Sequence, residues 1–182
     1  MLYLQSMPPT SIDLDLFILA LVQRGCATPY ELKTKAGISI GSSAPVLERL
    51  AKDGLLKKSD PGVHDRIQFA ITKSGEKRLE SGWQSLLATR PTDPDAILRI
   101  IYLAWALGRQ DATAKFIASA VDTLQNASAT RRAEATQLEV ASRDVGPAAF
   151  RWLKTRFEAA RLAAQSRELK ELGRQIKKTK NN

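Results

Sequence analysis

This sequence is poor in the residues that build metal centres and nucleophilic catalytic sites. It has one cysteine, Cys26, and one histidine, His64, among 182 residues. A lone cysteine excludes an intramolecular disulfide and a cysteine cluster for zinc, which suits a reducing cytoplasm. A cysteine-protease pair would have to be Cys26 with His64. Cys26 falls in a tight turn between helices, His64 on a hairpin, and no third group orients them. No glycine-rich loop has phosphate-cradling spacing, and no residues have metal-ligand spacing. The expectation is therefore a protein without catalysis, metal or cofactor. No apolar run approaches the ~20 residues of a membrane span. Residues 1–7 lack the basic region and long apolar core of a signal peptide, and residues 1–6 read as a linker ahead of a native Met7. The Asn126-Ala127-Ser128 sequon sits mid-helix and reads as chance.

What is present is positive charge, unevenly spread. The formal net charge is +9. Residues 1–90 carry 12 Lys/Arg against 9 Asp/Glu, residues 91–146 carry 6 against 7, and residues 147–182 carry 10 against 3. Such a balance permits binding to nucleic acid or acidic surfaces. It equally describes a protein with a solvated cationic helix.

The pattern along the chain is mostly helical. Residues 12–24 are apolar almost all round and predict a buried helix ended by Gly25. Thr28-Pro29-Tyr30-Glu31 is a capping box with proline in the first turn, and its short helix ends near Ala36-Gly37. A third helix is predicted over 42–53, with Val46, Leu47 and Leu50 as its apolar stripe and Gly54 as its stop. Leu55–Ser59 and Val63–Ile71 read as strands, joined by the turn Asp60-Pro61-Gly62. The second strand alternates Ile67, Phe69 and Ile71 against Arg66, Gln68 and Ala70. Thr72 caps a fourth helix that runs to about Thr89.

Arg90-Pro91-Thr92-Asp93-Pro94 is the expected domain boundary, between residues 8–90 and 91–182. Beyond it the sequence predicts helices over 95–107, 110–143 and 148–178. Ile97, Ile100, Ile101, Ala104 and Leu107 share one face, and Phe116, Ile117, Ala120, Val121 and Leu124 another. Phe150, Leu153 and Phe157 form an apolar cluster. Leu162, Leu169, Leu172 and Ile176 continue at near-heptad spacing. These faces exceed what one thin helical layer buries, so the second half is expected to dimerise. The alternative is a monomeric helical bundle.

The order helix, helix, helix, hairpin, helix is that of a winged helix-turn-helix domain. The recognition helix of such a domain enters the major groove with its N-terminal end. That gives a role to Gly41-Ser42-Ser43-Ala44-Pro45. Small residues allow close approach to phosphate, and the amide groups at the helix start favour the anion. Ser42 and Ser43 are expected to bond phosphates or base edges. Pro45, near the first turn, is expected to cost no helical hydrogen bond. Arg49 is counted in the same interface. Lys57, Lys58, His64 and Arg66 lie on or near the wing, and Lys73 starts the next helix. All five are expected to meet phosphate or groove. Each residue alone also has a plain reading as a cap or a solubilising charge.

The sequence resembles the PadR family of bacterial transcriptional regulators. The pieces that match are Tyr30-Glu31-Leu32, the third-helix run Gly41-Ser42-Ser43-Ala44-Pro45-Val46-Leu47-Glu48-Arg49-Leu50, Asp53-Gly54-Leu55-Leu56, and Ile71-Thr72-Lys73-Ser74-Gly75. The resemblance runs through about residues 14–90 and more weakly through the helical remainder. It implies a mainly α fold: a winged helix-turn-helix domain with a small β-hairpin wing, then an all-helical dimerisation domain. It implies a homodimer that binds double-stranded DNA, mostly as a repressor in the cytoplasm. The last helices would set the spacing of the two reading heads. It also implies a small aromatic or amphipathic effector, for which Trp83, Trp105, Phe116 and Trp152 are the candidate lining residues. All four also fit a role as core. The family's usual tyrosine before the proline is Ala44 here, and the wing carries the acidic Asp65. Those two departures motivate the alternative of a winged-helix interaction or assembly module without specific DNA binding.

Overall fold

The computed structural model describes residues 12–59, 67–139 and 146–179. The elements run α1 (Ile12–Gln23), α2 (Pro29–Ala36), α3 (Ile40–Lys52), β1 (Leu56–Ser59), β2 (Gln68–Ile71), α4 (Lys73–Leu87), α5 (Pro94–Ala106), α6 (Gln110–Glu139) and α7 (Pro147–Thr179). They form two compact units. Of the described residues, one unit holds 12–59, 67–88 and 102–108, the other 89–101, 109–139 and 146–179, so α5 is divided between them.

The first unit is a winged helix-turn-helix. Its central helix, α1, buries Leu16, Ile18, Leu19, Leu21 and Val22, as an apolar surface on nearly all sides requires. α2 is fixed by local chemistry at both ends. The Thr28 hydroxyl accepts from the Glu31 amide at 3.1 Å. The Glu31 carboxylate accepts from the Ala27 amide at 2.8 Å, one residue upstream of the cap itself. Gly37 closes the helix at φ 70°, a left-handed position that glycine takes without steric cost. The hydrogen bond from Lys35, together with the Ala27 amide, holds the Glu31 carboxyl below the usual carboxylate range.

β1 and β2 pair antiparallel, with Leu56 opposite Ile71 and Ser59 opposite Gln68. Leu56 and Phe69 are buried. The Phe69 amide donates to the Ala27 carbonyl at 2.7 Å, which ties the hairpin to the α1–α2 turn. Thr72 then caps α4, accepting from the Gly75 amide at 3.1 Å. Its hydroxyl bonds back to the carbonyls of Gly54 (2.7 Å) and Leu55 (3.1 Å). Gly82 of α4 lies against Leu16 of α1, where a Cβ would approach to 2.9 Å. In the same unit Phe17 and Tyr102 meet edge to face, centroids 5.2 Å apart.

The second unit is the packing of α6 on α7, with the first half of α5. Phe116, Ile117, Ala120, Val121 and Leu124 of α6 are buried, and so are Ala159, Leu162 and Leu169 of α7. A buried polar bond crosses the seam, from the Ser128 hydroxyl to the Ala159 carbonyl at 2.8 Å. The predicted 110–143 helix is described as far as Glu139. Residues 140–145, like the wing turn Asp60-Pro61-Gly62, lie outside the described residues. Among the described residues no helix is long and apolar enough to cross a membrane.

Candidate nucleic-acid interface

The exposed start of α3 is the centre of the candidate site. The helix begins at Ile40, two residues earlier than the sequence predicts, because Ser39 caps it. The Ser39 hydroxyl accepts from the Ser42 amide at 3.1 Å and lies 2.7 Å from the Ser42 hydroxyl. The early start changes the roles of the next residues. Pro45 becomes the sixth helical residue. Lacking an N–H, it leaves the Gly41 carbonyl without its i+4 donor. One helical bond is therefore lost, contrary to the expectation that Pro45 costs none. Gly41, Ser42 and Pro45 are exposed, and Ile40 is 44% exposed.

Ser43 was expected on this surface and is not there. Its exposure is 0%. Its hydroxyl donates to the Ser39 carbonyl at 3.0 Å, and it continues the buried stripe of Val46, Leu47 and Leu50. The spacing 43, 46, 47, 50 is a helical core pattern. A hydroxyl type suits DNA contact, but the spacing of Ser43 assigns it to the core stripe.

Arg49 is half-buried and committed elsewhere. Its guanidinium makes a bidentate bond to Asp15 of α1, at 2.6 and 2.7 Å. That hydrogen bond raises its pKa further. Planar fork-to-carboxylate pairing of this kind is among the stronger charged contacts. Arg49 thus fastens α3 to α1. No sequence signal joins two residues 34 positions apart.

Side chains alternate along β1. Lys58 turns toward α3 and meets Glu48 at 2.5 Å. Lys57 lies opposite Ala70 on the other face and is exposed. Lys73, first in α4, is exposed as well. His64 and Arg66 lie outside the described residues. Two contributors to this surface escaped the sequence reading: Ile40, hidden by the misplaced helix start, and Glu48, whose pairing with Lys58 needs the hairpin in place.

The four aromatic candidates for an effector site divide between the units. Trp83 is buried in α4 and Trp105 is 51% exposed, both in the first unit. Phe116 is buried in the second. Trp152 is half-buried there, with the Arg156 guanidinium 5.2 Å from its ring centre. The second unit also contains a cavity of about 520 Å³. Ile97, Leu98, Leu124, Leu169 and Leu172 line it with Gln165 and Glu168. None of the four aromatic residues lines it. Among the described residues no group of three His, Cys, Asp or Glu side chains could hold a metal ion. Cys26 is buried, and burial pushes its thiol pKa up.

The fold invites comparison with known structures. It is similar to Bacillus subtilis PadR. The likeness is to the crystal structure of that protein in complex with operator DNA, at 18% identity and a TM-score of 0.36, over 92% of this chain and 99% of that one. No family model matches this chain, and no curated protein does.

Proposed function

We propose that this chain is a sequence-specific DNA-binding transcriptional regulator that acts as a homodimer and represses. The observation that carries the reading is the bare start of α3. Gly41, Ser42 and Pro45 stand exposed on the helix that a winged helix-turn-helix presents to the major groove. Lys57 and Lys73 are exposed on β1 and at the start of α4. The phosphate contacts are assigned to Ser42, Lys57 and Lys73, with His64 and Arg66 of the wing. Ser43 and Arg49 are not among them, because one is core and the other is bound to Asp15.

Homodimerisation is assigned to α7, in the 91–182 domain. Phe150, Leu153 and Phe157 are large, exposed and on one face of that helix. Each protomer would set α3 in one half-site, with half-sites about one helical turn apart or a multiple of that. A small aromatic or amphipathic effector would weaken binding by favouring a different spacing of the two heads. The 520 Å³ cavity is within the usual size of a ligand pocket, about 300–1,000 Å³.

The test is binding to a labelled fragment of the gene's own promoter, against a scrambled fragment, between about 50 and 200 mM salt. Specific binding with a steep salt slope is expected. Equal binding to both fragments that vanishes with salt would favour the interaction-module reading. Glu48 on the α3 surface and the engagement of Arg49 give that reading its support.

Two variants sharpen the test. Ser42→Glu is expected to lower operator affinity at least about tenfold, since it sets a carboxylate against phosphate. The fold should survive, because Glu three residues after a serine cap is the capping-box arrangement. Unchanged affinity with an unchanged melting curve would remove Ser42 from the interface. Lys57→Ala is expected to weaken binding evenly across sequences and to reduce the salt slope by about one unit, read from the same titration.

A further inference from the structure

Resting on the proposal of DNA binding, we infer that α3 reads thymine through its methyl group, with Ile40 and Pro45 as the contacting side chains. The argument begins with what α3 cannot offer. Guanine is read by the fork or ammonium of Arg or Lys, and adenine by the amide of Asn or Gln. From Ile40 to Arg49 the helix has no Lys, Asn or Gln, and its one arginine is Arg49. Both Asp15 oxygens already hold that guanidinium, at 2.6 and 2.7 Å. Glu48 could accept from cytosine, but Lys58 holds its carboxylate at 2.5 Å.

What remains exposed on the helix between Ile40 and Pro45 is apolar surface with one hydroxyl, that of Ser42. Ile40 is 44% exposed at the first helical position. Pro45 is exposed five residues further on, about 1.4 turns along the same helix. Leaving an isoleucine in water at the leading end of a helix gains nothing for the fold. In a major groove it has one apolar partner, the C5 methyl of thymine. Ser42 bonds any base or phosphate and adds little discrimination.

The test needs an operator, so the full chain is first used to select binding sites from random duplex DNA. Each thymine of the selected site is then replaced by deoxyuracil, which differs only in lacking the methyl group. At one or more thymines in each half-site the replacement should weaken binding about fourfold, the worth of one buried methyl-sized group. Ile40→Ala or Pro45→Ala, with an unchanged melting curve, should reduce that penalty to below about twofold at one of those positions. Replacing guanines by 7-deazaguanine, which removes the N7 acceptor, should leave the α3 positions unaffected.

Affinity unchanged by deoxyuracil throughout the site would overturn the inference and leave the DNA-reading function standing. So would a penalty that persists in both variants. A selection that yields no consensus would remove the DNA-reading function, and this inference with it.

Discussion

Gly75→Ala is expected to destabilise the winged unit by on the order of 3 kcal/mol, the upper range for overpacking a tight site. For a unit of this size that lowers Tm by roughly 15 °C, measurable by thermal unfolding. A Cβ on Gly75 would collide with the Leu55 carbonyl oxygen and come within 2.8 Å of the Ile71 side chain. Neither neighbour can move aside at low cost. The Leu55 carbonyl already accepts from the Thr72 amide at 3.1 Å and from the Thr72 hydroxyl at 3.1 Å. Ile71 is paired with Leu56 across the hairpin. The methyl group therefore forces either α4 or the wing out of place. A substitution at exposed Ser74, the residue before it, is expected to leave Tm within about 2 °C. If Gly75→Ala melts like the parent protein, the hairpin is not held on α4 as described. Because the wing hangs from this joint, a folded remnant should also lose operator affinity.

The double variant Phe150→Glu, Phe157→Glu is expected to convert a dimer to monomers and to lower operator affinity by about 100-fold or more. Phe150 and Phe157 are 71% and 73% exposed, with Leu153 between them on the same face. Exposed apolar stripes of this kind mark interaction surfaces. Charge placed on them would stand against its own copy across a two-fold interface. Joining two reading heads gains about 10²–10⁴ in avidity, and that is what separation removes. Sedimentation gives the mass and a DNA titration the affinity. Since neither side chain is in the core, the melting temperature of the isolated chain should hardly depend on them. A variant that remains a dimer would place the interface elsewhere. A parent chain that is already monomeric would remove the homodimer from the proposal.

Much of the fold was legible because its signals are local. Thr28, Gly37 and Thr72 each announce a helix end through a capping bond to a residue a few positions away, and those ends fall where the sequence places them. The same holds for α1, where apolarity on nearly every side leaves burial as the outcome. The α3 start lies two residues ahead of the sequence expectation because Ser39, and not a later serine, is the cap. A cap is a matter of which hydroxyl reaches an amide three residues on, and Ser39, Ser42 and Ser43 compete for that role on composition alone.

The candidate site was less legible than the fold. Chemistry-bearing residue types identify what a side chain can bind, not what it already binds. Ser42 and Ser43 are chemically identical neighbours, yet a 100° step around the helix leaves one in solvent and one in the core. Arg49 reads as a DNA contact until α1 delivers Asp15 to it. Lys58 reads the same way until the hairpin brings it to Glu48.

By itself the sequence determined the order of elements, their main capped ends and the apolar stripes, because these depend on propensity, caps and period within a few residues. Only the tertiary structure decided which charges are already neutralised and which stripe is left uncovered. Asp15 with Arg49, Glu48 with Lys58, and the bare Phe150–Phe157 face depend on contacts between distant segments. Such contacts form only when the backbone has folded, and no local period encodes them.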